Sequence, residues 1–179
     1  GISSYPTKVG TPAKSFDKDP LNLWRELTRK YGVALYVHYS GVYEKQAVRL
    51  HPEWAALNAA GKMDSDKISV HSGYVDELLI PQLKELSRDY GVNGVWVDGD
   101  CWAVVPDYSP AALKAFRAET GMTSIPRSSK DSGYARFLNF NRQSFLNYVQ
   151  RYASAMHAFN PDFQVASNWS FSSFMPQPV

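Results

Sequence analysis

The sequence predicts an α/β fold with parallel strands, a portion of a (β/α)8 TIM barrel, and three observations carry that expectation. Helical patterns alternate with short apolar runs in the order helix, strand, helix, strand, helix, strand, the repeating unit of a parallel α/β fold. The first of these runs, 33–39, is apolar on both faces, as strands buried in a parallel sheet are. All three runs end in polar or aromatic residues: His38-Tyr39, Asp98-Gly99-Asp100 and Asn168-Trp169. In such folds the carboxyl ends of the strands are where ligands bind.

Local patterns define the elements in turn. Residues 1–18 hold Gly, Pro, Ser, Thr and Lys without a period and read as loop. Asp19-Pro20 supplies an N-cap and a proline at the first helical position. Leu21, Trp24, Leu27 and Tyr31 follow at helical spacing, and Gly32 closes the helix. The first strand, 33–39, stops at Ser40-Gly41, with one of His38 and Tyr39 facing inward and the other the helical layer.

Residues 41–71 form a long excursion of the kind that carries function. A short helix is expected from His51-Pro52-Glu53-Trp54 to near Gly61, with Glu44, His51, Glu53 and Trp54 packing the loop. Ser72 caps a helix over 73–90 whose apolar face is Val75, Leu78, Leu79, Leu86 and Tyr90; Pro81 inside it predicts a kink or a restart. A helical pattern stops at Gly91, the chain turns at Asn93-Gly94, and the second strand, 93–98, follows. Ser109-Pro110 opens a small helix that Gly121 ends, and a long helix spans 134–159 up to Asn160-Pro161. The third strand covers 163–168, and the tail 170–179 has no period.

Three parallel strands leave two open edges, and a closed eight-stranded barrel needs at least ~200 residues. The 179 residues are therefore expected to form about three βα units, with the remainder of the barrel outside this segment. Composition excludes several classes. Hydrophobic residues make up 44%, which fits a globular core, and the net charge of +2 with scattered basic residues predicts neither a nucleic-acid stripe nor a membrane-binding patch. No apolar run approaches the ~18 residues of a transmembrane helix. The first fifteen residues carry no signal-peptide pattern, and the single Cys101 excludes an internal disulfide framework. Aromatic residues reach 14%, and aromatics beside carboxylates suit carbohydrate, whose apolar ring faces stack on aromatic planes.

The stretch Gly91–Trp102 concentrates the chemistry: two carboxylates, a flexible glycine and Trp102 crowd one strand end. Asp-Gly is also ordinary turn chemistry; three polar strand ends facing one side favour a site. Retaining glycoside hydrolysis needs an ionised carboxylate nucleophile and a second carboxylic acid about 5 Å away. Asp98, held by its strand, suits the first role. Asp100 would share its face if strand geometry continued past Gly99, and two close carboxylates would raise one pKa as an acid/base requires. The stronger reading of Asp100 is a sugar-hydroxyl or loop contact.

The residues also resemble a family. Asp19-Pro-Leu-Asn-Leu-Trp-Arg-Glu-Leu-Thr-Arg-Lys-Tyr-Gly-Val-Ala-Leu-Tyr-Val-His-Tyr-Ser is similar to the helix and third strand of family 29 glycoside hydrolases, the α-L-fucosidases, where the strand commonly ends in Tyr-Tyr-Ser. Pro81-Gln-Leu-Lys-Glu-Leu-Ser-Arg-Asp-Tyr-Gly-Val-Asn-Gly-Val-Trp-Val-Asp-Gly resembles their Gln-Leu-x-Glu-Leu helix and Trp-Phe-Asp-Gly strand, with Val97 for Phe. His51-Pro-Glu-Trp and Asp100-Cys-Trp look more like fucosidase-related or family-42-like glycosidases. The resemblance covers 19–100 well and the remainder loosely. It implies a glycosidase catalytic domain of α-L-fucosidase-like activity with Asp98 as the catalytic nucleophile and no cofactor. The substrate-contact set at the three strand ends is His38, Tyr39, Asp100, Trp102, Asn168 and Trp169. A secreted or periplasmic location is compatible with such an enzyme. Two other readings stay open: a metal-dependent hydrolase or transferase using Asp98 and Asp100, and a non-catalytic carbohydrate-binding barrel piece.

Overall fold

The computed structural model describes residues 1–169; the aperiodic tail, 170–179, lies outside the described residues. The N-terminal segment, expected as loop, contains two two-residue strands, β1 (Ile2–Ser3) and β2 (Thr11–Pro12), paired in parallel. Three donors, the Tyr5 and Thr7 hydroxyls and the Lys8 amide, converge on the Glu85 carboxylate and tie this segment down. Helix α1 (Pro20–Lys30) begins as its sequence dictates: the Asp19 carboxylate accepts from the Leu21 and Asn22 amides, and Gly32, at φ 65°, lies just beyond its end.

Strand β3 (Tyr36–Tyr39) starts later than expected because the Leu35 amide is taken by the Asn93 side chain. The excursion is richer than the sequence reading. It holds α2 (Lys45–Leu50), a 3-10 turn (Pro52–Trp54), and β4 (Ala55–Leu57) paired antiparallel with β5 (Met63–Ile68). No helix runs from 51 to 61; Gly61, at φ 77°, sits in the connection between those two strands instead. A π-helical segment, Val75–Leu79, runs without a break into α3 (Ile80–Tyr90), with helical angles at Leu79 and Ile80, so Pro81 falls inside a continuous helix directly after the π turn that accommodates it. After β6 (Gly94–Val97) comes a 3-10 turn (Gly99–Val104), then α4 (Pro110–Thr120), α5 (Tyr134–Phe159) and β7 (Gln164–Ser167).

β3, β6 and β7 form one parallel sheet with β6 in the middle. Its register aligns Tyr39 with Val97 and Val97 with Ser167. Val95 and Val97 bury against Leu83, Leu86, Tyr152, Met156 and Phe163, joining the sheet to α3 and α5 in the main core. A second core of Tyr108, Phe116, Phe137 and Phe140 joins α4 to α5. The opposite sheet face is open: Tyr36, His38 and Trp96 are exposed, which corrects the expectation of a first strand covered on both faces. The expected apolar stripe of α1 is also corrected. Trp24, Leu27 and Tyr31 are 61%, 49% and 68% exposed, whereas Arg25 is buried. Its guanidinium donates to the Gly91 and Val33 carbonyls and to Asn93 Oδ1, so a charge-assisted hydrogen-bond clamp, with Leu21 against the core, docks α1 beside the strand beginnings. No helix of the described residues is long and apolar enough to cross a membrane.

Gly94 is required where β6 meets both neighbours. A Cβ there would lie 2.5 Å from the Gln164 carbonyl oxygen and 2.5 Å from the Tyr36 ring. Gly94→Ala is expected to destabilise the fold by about 1–3 kcal/mol, read as a lower urea midpoint at unchanged m-value. An unchanged midpoint would mean that the strands can separate there freely.

Candidate functional site

Pairing continues one residue past the strands. The Asp98 amide donates to the Tyr39 carbonyl (2.8 Å) and the Asn168 amide to the Val97 carbonyl (2.9 Å). Side chains alternate along a strand, so Asp98 follows Trp96 and Asn168 follows Ala166 onto the open face, where His38 already stands. The three meet. Asn168 Nδ2 donates to Asp98 Oδ1 at 2.7 Å, and His38 Nε2 lies 3.2 Å from Asp98 Oδ2. Asp98 remains 41% and His38 54% exposed at their side chains. The Asn168 hydrogen bond, aided by the bond and charge of His38, holds the Asp98 carboxyl below its usual range against slight desolvation.

Around this carboxylate runs an open groove of about 390 Å³ lined by His38, Ser40, Tyr43, Asp98, Gly99, Trp102 and Asn168. Aromatic pairs flank it. His38 meets Trp96 edge to face at 5.3 Å, and Tyr43 meets Trp102 likewise at 5.9 Å. A larger cavity, about 470 Å³, lies along the outer edge of β3 and shares His38 and Ser40 with the groove, but Asp98 does not line it. Asp98, whose charged form its partners favour, faces the smaller space.

Four of the seven expected site residues come together: Asp98, His38, Asn168 and Trp102. Three do not. Tyr39 falls on the other side of its strand, is buried, and donates to Gln82 Oε1 at 2.8 Å. Asp100 is 0% exposed, because the chain leaves extended geometry at Asp98 (φ −81°, ψ −43°) and the 3-10 turn carries residue 100 inward. Tyr152 and Ser167 hydroxyls donate to its Oδ2 at 2.6 and 2.7 Å. Burial pushes the Asp100 carboxyl up to about 6, with those hydrogen bonds pulling the other way. An acid near 6 suits proton transfer, yet full burial keeps it from a leaving oxygen or a sugar hydroxyl. Trp169 packs on the Phe145 ring at 5.0 Å, outside the groove lining.

With one carboxylate in the groove and the other in the interior, Asp98 and Asp100 form no shared donor set, and among the described residues no group of three His, Cys, Asp or Glu is arranged to hold a metal ion. His51 stacks on Trp54 at 3.9 Å and pairs with Glu53, so these residues pack the excursion; none of them lines the groove. Ser40 and Tyr43 escaped the sequence reading. Their only mark was their place at the start of the long excursion after the first strand.

No protein-family model and no curated protein matches the chain. Among solved structures it is similar to α-L-fucosidase isoenzyme 2 from Paenibacillus thiaminolyticus, with TM-score 0.73 and 20% identity over 94% of this chain and 25% of that one. It is also similar to the α-galactosidase from Lactobacillus brevis, with TM-score 0.51 and 10% identity over 93% of this chain and 21% of that one. The chain thus spans about a quarter of the length of these glycoside hydrolases. The likeness shows a mixed α/β fold with parallel strands, similar to part of a TIM-barrel glycosidase.

The two carboxylates set opposite pH dependences. Between about pH 4, where an unfolded Asp titrates, and about 6, folded Asp100 keeps a proton that the unfolded chain has released. Its contribution to stability therefore falls as pH rises through that window and is level above it. Asp98, with its carboxyl lowered, contributes stability that is lost only as pH falls below the usual carboxylate range. Urea denaturation at pH 4 to 7 should show Asp100→Asn gaining on the wild type with rising pH, by on the order of 2–3 kcal/mol across the window. Parallel pH profiles would show that Asp100 is not the titrating group.

Proposed function

We propose that this chain supplies part of the catalytic barrel of a retaining glycoside hydrolase of α-L-fucosidase-like specificity, with Asp98 as the nucleophile. The observation that carries the proposal is the Asp98 carboxylate: at the carboxyl end of the central strand, kept ionised by Asn168 and His38, and open to a groove with aromatic walls. The likeness to two glycoside hydrolase barrels supports the reaction class. The resemblance of the Gln-Leu-Lys-Glu-Leu helix and Trp-Val-Asp-Gly strand to family 29 supports the choice of Asp98 and of fucose-like sugars.

In this reading an oxygen of Asp98 attacks the anomeric carbon while the bond to the leaving oxygen breaks, giving a glycosyl ester. Water then attacks the same carbon, gives its proton to the group that protonated the leaving oxygen, and releases the carboxylate. Asn168 holds Oδ1 and His38 approaches Oδ2, so the carboxylate is fixed by two partners from the flanking strand ends and cannot rotate away. Trp102 and Tyr43 offer ring faces and edges to the apolar side of the sugar or its leaving group. Asp98 is the only carboxylate lining the groove among the described residues, so the acid that protonates the leaving oxygen comes from outside this set.

Azide tests the assignment. Asp98→Gly in the purified protein is expected to lower turnover of an activated aryl glycoside by about 10⁴-fold or more, as loss of a covalent nucleophile does. Added azide should restore cleavage and yield a glycosyl azide. Near-normal turnover by Asp98→Gly without azide would end the proposal; sugar binding without any turnover by the wild type would leave the groove a binding site.

A further inference from the structure

We propose that Asp100 is a positioning residue for the Asp98 site, its buried carboxylate locking together the three strand ends that deliver His38, Asp98 and Asn168. The proposal rests on the glycosidase reading of that site and assigns Asp100 no contact with substrate.

The carboxylate bonds to the end of β7 and to α5, and it leaves no room for a side chain on the turn after β3. Oδ2 accepts from Ser167 Oγ at 2.7 Å, and Ser167 is the residue before Asn168 at the end of β7. The same oxygen accepts from Tyr152 Oη at 2.6 Å, which fastens the cluster to α5. Oδ1 accepts no hydrogen bond and faces the turn after β3, close enough that a Cβ on Gly41, whose φ is +63°, would lie 2.7 Å from Oδ1 and 3.0 Å from the Asp100 amide. Gly41 stands three residues beyond His38, and Asp100 itself two beyond Asp98. The Ser40 carbonyl fills the place a Cβ of Gly99 would take, so the loops after β3 and β6 are in backbone contact above the carboxylate. One buried group therefore fixes the spacing of the three catalytic-side neighbours from behind.

The chemistry argues against a role as filler. Asp100 is fully buried, and its Oδ1 and the Tyr148 hydroxyl have no hydrogen bond of normal geometry there. A buried, partly satisfied carboxylate is costly, and an apolar side chain of its size would pack more favourably. What the carboxylate adds is an oxygen that holds a strand end and a helix at once, at charge-assisted distances. Local structure that opposes stability in this way is characteristic of functional sites.

The test combines kinetics with nitrogen NMR of the His38 imidazole and the Asn168 side-chain amide, in wild type, Asp100→Asn and Ser167→Ala. The expected result is that Asp100→Asn folds, that both side-chain signals move, and that kcat on an activated aryl glycoside falls about 100-fold, as for a displaced catalytic group, with KM nearly unchanged. Unmoved signals with wild-type kcat would overturn the proposal, even if thermal stability changes. If the wild type turns over no glycoside, the glycosidase reading fails but the signals still decide positioning. If Asp100→Asn does not fold, Ser167→Ala decides: it keeps the carboxylate and removes one bond, so the His38 signal must move and kcat must fall, and an unmoved His38 signal with wild-type kcat overturns the proposal.

Discussion

The register of β6 between two parallel neighbours is the constraint on which the rest depends. With Tyr39, Val97 and Ser167 in one row, alternation alone sends those three side chains toward the helices and sends His38, Trp96 and Asp98 to the open face. A slip of one residue in β6 would bury Asp98 among aliphatics and turn Val97 to solvent. Two glycines allow the register. Gly94 admits Gln164 and Tyr36 at one end of the strand, and Gly99 admits the Ser40 carbonyl at the other. The open face and the core are thus two consequences of one alignment.

That alignment also explains how two aspartates two positions apart acquire opposite characters. Asp98 keeps its water and gains a donor from Asn168, so its charged form is favoured. Asp100 receives donors too, from Tyr152 and Ser167, but loses all its water, and desolvation outweighs the two hydrogen bonds. Solvation, not the number of hydrogen-bond donors, separates a carboxylate that can attack an electrophile from one that holds structure. The divergence begins at a single backbone change, where Asp98 adopts helical angles and the extended chain ends.

Helix ends were legible because caps are local: Asp19, Ser109, Gly91 and Gly121 each act within one turn of their own position. The parallel order and three of the strand-end partners of Asp98's groove were legible because the strand ends are polar where the strands are not. The sequence left open which of His38 and Tyr39 faces outward, since that depends on register with a strand about sixty residues away. The same limit hid the burial of Asp100, which follows from a 3-10 turn that Gly99 permits but does not require. In the excursion, Met63–Ile68 reads Met-Asp-Ser-Asp-Lys-Ile, with no alternation to mark a strand; its pairing with Ala55–Leu57 supplies the order instead. On α1 a periodic apolar pattern misled, because a buried arginine with three oxygen partners fixed the helix orientation.

If Asp98 is the nucleophile proposed above, the groove carries one half of an acid–nucleophile pair, and its walls limit where the other half can stand. His38 and Asn168 occupy the two flanks of Asp98, the strand lies behind it, and Gly99 and Ser40 close the space beyond the strand end. Asp100 lies on the interior side and is sealed from the groove. Under that proposal a proton donor about 5 Å from Asp98, as retention requires, would approach across the open face, over a sugar ring placed between Asp98 and the Tyr43–Trp102 pair. The leaving group would point away from β6, toward that side. Nucleophile and acid then act on opposite sides of the anomeric bond, the arrangement in which attack and departure proceed in line.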